Sequence, residues 1–269
     1  MTRQFKQRLG CVSIAVVVML GVIFGSFYPL QAEDGLPSPQ THPLPKTLAQ
    51  WRDPKNQEDY FDQIQPTEVG YLIWSRFPVK VYVEQGDPTV VSGSSTPPRQ
   101  HKQFQAWTEA VLQAVREWNS YLPLTVVEQP DLADITIWRS VPPIQRSRGN
   151  PPPRIRSAET RYTLYKQTVG NSGEKALTIL SHRCTILLKP SQTIPYIQAA
   201  ARHELGHALG IWGHSPQPTD ALYFAQVRNP PPISSRDLNT LKRVYEQPTR
   251  LGWPLPLEKT EGGDRPLSS

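Results

Sequence analysis

Apolar and polar positions alternate along this chain with two distinct periods. Within residues 71–84, Val79, Val81 and Val83 are separated by polar or half-polar neighbours, the pattern of a half-buried strand. A Gly, Ser and Pro cluster over 86–98 ends it. Across 100–121 the spacing changes: Phe104, Trp107, Val111, Val115 and Trp118 recur every three or four residues, which predicts an amphipathic helix with an aromatic core stripe. Two short strands are expected at 124–128 and 133–139. Two more are expected at 160–167 and 177–189, separated by a glycine-containing turn over 170–173. A second helix is expected over 193–209, with Thr193 as cap and Pro195 in the first turn. A last helix over 234–246 has Ser234 and Asp237 in capping-box spacing and a stripe of Leu238, Leu241 and Tyr245. Five strands and three helices thus form one sheet packed on helices, an α+β domain.

The ends read differently. Residues 9–30 carry no charge and follow Arg3, Lys6 and Arg8, so 1–32 is an export signal cleaved after Ala32 or an uncleaved membrane anchor. With positive charge held inside, both versions put everything after Glu33 on the outer side: secreted, periplasmic, or anchored through 9–30. The 29 prolines, about double the usual share of roughly 5%, are dense in LPSPQTHPLP, and 33–68 reads as a stiff linker. The catalytic domain is then expected at 69–250, with an irregular tail at 251–269. Beyond the leader the net charge is small, 26 basic against 23 acidic side chains. The basic stretch 142–157 lacks interleaved aromatics, so no nucleic-acid partner is expected. Cys11 lies in the leader, which leaves Cys184 as a buried thiol without a disulfide partner.

Candidate chemistry is concentrated in HELGHALGIWGHS, residues 203–215. Histidines four apart on a helix lie one above the other, so His203 and His207 can share one metal ion. The apolar positions Ile194, Ile197, Ala201, Leu205 and Ala208 point roughly opposite, whereas a core histidine would lie on that stripe. Gly210 supplies a place for the helix to stop and double back. The returning chain can then bring His214 to the ion as third ligand. Three neutral imidazoles leave a coordination position for water, the arrangement of a hydrolytic zinc site. Glu204, rotated off the histidine direction, is suited to act as general base on that water.

These residues resemble the metzincin zinc peptidases, whose pattern is HExxHxxGxxH followed by a Met-turn. Ser215 after the third histidine is most similar to the matrixin branch, and the order of elements over about 69–247 agrees with it. The resemblance implies a twisted, mostly parallel sheet of about five strands with an antiparallel edge strand, packed on two helices, plus a C-terminal helix. It also implies a monomeric zinc endopeptidase with one catalytic Zn2+, acting on peptides or proteins that bind as an extended strand along 160–167. His203, His207 and His214 would be the metal ligands, Glu204 the catalytic base, and Gly210, Leu222 and Tyr223 supporting residues.

Two departures stand out. His214 arrives one residue late, with Gly213 at the usual position. Leu222 stands where the Met-turn methionine would be, although Asp220, Ala221 and Tyr223 fit the flanking pattern; leucine of similar volume should be tolerated there. No cysteine switch is expected, nor the second zinc and calcium sites of matrixins. His42, His101 and His182 are isolated. Two rivals remain: a gluzincin-like site with Glu246 as third ligand, and an exported module that binds zinc or peptides without catalysis.

Overall fold

The computed structural model describes residues 35–86, 98–144, 156–170 and 176–256. The segment 1–32 expected to direct export, most of the basic loop and the far C-terminus lie outside these residues.

Five strands form one sheet in the order β2-β1-β3-β5-β4. They are β1 (Val79–Val83), β2 (Leu124–Val127), β3 (Ile135–Trp138), β4 (Ala158–Val169) and β5 (Leu177–Leu188). All pairings are parallel except β4 with β5, so β4 is an antiparallel edge strand. The helices are α1 (Lys46–Gln50), α2 (Pro98–Asn119), α3 (Ile194–Ala208) and α4 (Ser235–Tyr245). The chain is therefore α+β, with the bounds of the five strands and of α2, α3 and α4 within a few residues of those expected, while α1 falls where no helix is expected.

Alternation in β1 and β3 puts Val79, Val81, Val83, Ile135 and Ile137 on a fully buried face. They share one core with Trp107, Val111, Val115 and Trp118 of α2 and with Ile197, Ala201 and Leu205 of α3. Burial of each such valine, leucine or isoleucine contributes about 1.5–3 kcal/mol. The two helices are also joined by polar contacts. Arg202 of α3 meets Glu117 of α2 at 2.5 Å, and the Trp118 indole donates to the Arg202 carbonyl at 2.8 Å. Cys184 is buried on β5, as expected.

Two of the expected boundaries are wrong. Residues 35–68 do not form a linker: Leu48, Tyr60 and Ile64 are buried in the main core. This N-terminal strap docks on α4 and the C-terminal segment through Gln40 paired with Thr249, the Trp51 indole on Asn239, and Asp59 facing Arg243. Prolines deny the strap a regular lattice of hydrogen bonds, yet its apolar side chains still find the core. Nor is 251–256 an irregular tail. Leu251 is buried, and Gly252 and Leu255 donate backbone hydrogen bonds to Leu180 and Thr178.

Within α3, Thr193 is the cap residue but its side chain makes no capping hydrogen bond. Ile194, expected on the apolar stripe, is 43% exposed because it lies in the first turn, before α3 reaches the core. In α4 the capping box is complete: Ser234 accepts from the Asp237 amide, and Asp237 accepts from the Ser234 amide.

Candidate metal centre

The C-terminal end of α3 carries the site. Gly210 has φ +132° and stops the helix. Its amide donates to the His207 carbonyl at 3.1 Å, and the Ile211 amide reaches the Gly206 carbonyl at 3.0 Å, the paired bonds of a Schellman stop. The turn thereby delivers the Ile211 carbonyl to His207 Nδ1, 2.7 Å away. His203 Nδ1 lies 2.9 Å from the Ala221 carbonyl. A carbonyl oxygen only accepts, so both Nδ1 atoms carry a proton, and in the neutral rings both Nε2 atoms present lone pairs.

Those two Nε2 atoms are 3.1 Å apart. Lone pairs converging at that distance repel unless a cation lies between them, and a tetrahedral ion at zinc-like bond lengths would hold such atoms about 3.3 Å apart. His214 completes the group: ligand atoms of all three histidines lie within 4.8 Å of one another. Its ring centroid is 4.8 Å from that of His207 and 5.3 Å from that of His203. The donor set therefore fits a metal ion. Burial, reinforced by the neighbouring His203, holds His214 down to about 4. His207 is held well below the ordinary histidine range, first by burial and then by His203 and His214. Neutral imidazoles are the form that a metal requires.

Glu204 is 8% exposed. Its Oε2 accepts a 2.6 Å hydrogen bond from the hydroxyl of Thr160 on β4. Burial raises its pKa, opposed by His203 and by that hydrogen bond. The edge strand expected to border the site does so.

The supporting residues are placed as follows. Leu222 is fully buried and packs directly on α3 between the two histidine turns: a Cβ at Gly206 would lie 2.6 Å from Leu222 Cδ2. Tyr223 lines the cleft, and the Ser215 amide donates to the Leu222 carbonyl at 2.8 Å. The loop that holds His203 rests on Asp237. This fully buried carboxylate accepts from the amides of Ala221 (2.9 Å) and Ser234 (2.8 Å) and from the Tyr60 hydroxyl (2.5 Å). The extra residue before His214 is accommodated against the strap. The Gln65 amide donates to the Trp212 carbonyl, and a Cβ at Gly213 would overlap the Gln63 carbonyl.

The site opens into a cleft of about 710 Å³ between β4 and the loop 220–231, with Thr160, Tyr196, Trp212 and Tyr223 among its walls. Glu246 lies elsewhere, exposed at the C-cap of α4, and the three histidines are the metal-capable group among the described residues. His182 is buried against Trp74, His42 stacks on Trp253, and His101 contacts Gln105. Spacing did not reveal the roles of Thr160 and the strap, because both act through contacts distant in sequence. Asp237 was visible in the sequence only as a helix cap. The chain matches no protein-family model and no curated protein sequence.

Proposed function

We propose that the chain is an exported zinc-dependent endopeptidase of the metzincin kind, hydrolysing peptide bonds in the cleft beside β4. The observation that carries this reading is the convergence of His203, His207 and His214 next to the buried carboxylate of Glu204. A nitrogen trio suits zinc, which when bound supplies Lewis acidity to the scissile carbonyl and to the attacking water.

The chain's own residues supply the rest. The backbone carbonyls of Ala221 and Ile211 fix the tautomers of His203 and His207, so neither ring must reorganise to bind. Glu204 takes the proton from the attacking water and returns it to the departing amine. Burial raises its proton affinity toward that task. The outer edge of β4 offers backbone donors and acceptors to an extended peptide, which would lie across Glu204.

Metal analysis and peptide-library cleavage on the wild-type chain and two variants test the proposal. Glu204→Gln should keep zinc and lose hydrolysis; His214→Ala should lose stoichiometric zinc. A zinc-loaded wild type that cleaves nothing from about pH 5 to 9 would instead favour a non-catalytic peptide-binding module.

A further inference from the structure

We infer that Thr160 is a positioning residue for Glu204, acting from the edge strand on the carboxylate that handles the proton. The inference rests on the peptidase reading and adds a residue to it. Thr160 lies on β4, 44 positions from Glu204 in the chain, and its register opposite Ile186 of β5 fixes its backbone. Its Oγ1 is 2.6 Å from Glu204 Oε2 and 3.0 Å from the Glu204 carbonyl. A hydroxyl has one proton to give. The shorter contact falls in the range of an O–H donor facing a carboxylate, about 2.5–2.7 Å, so the proton goes to Oε2.

The consequence is geometric. A glutamate has three rotatable side-chain bonds, and among the described residues the hydrogen bond to the Glu204 carboxylate comes from Thr160 of β4 and not from α3. With Oε2 held by Thr160, the carboxylate is locked in rotation and Oε1 remains to meet a substrate proton. The backbone that carries the lock is also the strand edge along which the peptide would lie. Thr160 thus ties the position of the proton acceptor to the position of the substrate, where a misplacement of about 1 Å costs on the order of 100-fold in rate. A valine here would keep the shape and lose the donor; a serine would keep the donor.

The test compares Thr160→Val and Thr160→Ser with wild type. It measures kcat and KM separately on one peptide substrate, zinc content, thermal midpoint, and the Glu204 carboxylate in crystal structures of the metal-free proteins. The valine variant should lose about 10- to 100-fold in kcat, with KM within about two-fold and zinc and midpoint retained. Its carboxylate should leave the wild-type rotamer, and the serine variant should restore both. Unchanged kcat with the carboxylate in place would overturn the inference. So would a parallel fall of kcat, KM performance, zinc content and midpoint, which would make Thr160 a clamp between β4 and α3 only. If the wild type itself cleaves no peptide, the peptidase reading fails separately. The crystal structures then decide: a displaced carboxylate sustains the positioning role and an unmoved one ends it.

Discussion

Replacing Asp237 by alanine tests whether the loop behind His203 is held from beneath. The side chain has no solvent exposure and accepts three hydrogen bonds of 2.9 Å or shorter, from Tyr60, Ser234 and Ala221. A fourth, longer contact comes from the Leu222 amide at 3.4 Å. Each buried donor left without an acceptor costs about 1–3 kcal/mol. Part of this is returned, because burial pushes the Asp237 carboxyl up and so disfavours its charged form in the native protein. A net loss of about 3–5 kcal/mol is expected, read as a fall in the urea midpoint at constant slope. The same change frees Ala221, whose carbonyl orients His203, so zinc affinity measured against a competing chelator should drop about 10- to 100-fold. Asn at this position keeps one acceptor oxygen and should fall between alanine and wild type on both scales. A stability loss under about 1 kcal/mol, or unchanged zinc affinity, would refute the argument.

Three further outcomes are expected. Gly213→Ala forces a Cβ into the Gln63 carbonyl, so the loop bearing His214 must move; stability should fall about 1–3 kcal/mol and zinc affinity at least about 10-fold, by calorimetric titration. His182, buried on Trp74 without a partner for Nε2, is held down to about 3 by burial. The unfolded chain takes up that proton below about pH 6.5 and the folded one does not. Stability of the metal-free protein should therefore fall by about 1.4 kcal/mol per pH unit from this residue between pH 6.5 and 3, and urea midpoints of His182→Phe should lack that component. Cys184, with its thiol pushed up to about 12 by burial, should resist thiol reagents in the native unit Glu33–Ser269 and react fully once denatured.

Much of this arrangement was legible because period and punctuation are local signals. The alternation of Val79, Val81 and Val83, the stripe of α2 and the capping box of α4 each need only a few neighbouring residues to declare themselves. The same holds for the site's first tier: His203, His207 and Gly210 lie within one helix end, and His214 follows in the next turn. What escaped notice acts over distance. Tyr60 reaches Asp237 across 177 positions, and Thr160 reaches Glu204 from another layer. The strap differs from the expected linker for a physical reason. Proline density reports the absence of regular hydrogen bonding but not the absence of packing, and Leu48, Tyr60 and Ile64 bury themselves without any period. Gly213 gave a visible signal, an extra small residue in the ligand loop, but what it makes room for could be known only once Gln63 was seen beside it.

The strap also sets an order of events. Its partners Asp237, Asn239 and Arg243 lie 177, 188 and 184 positions further along the chain than the strap residues they meet. Contacts of such long separation close late, because the intervening chain must be present and gathered first. Until they close, the loops behind His203 and His214 lack their floor. Whatever the cleft does, a chain whose strap is still undocked is unable to do it, and competence arrives only when these distant contacts have closed.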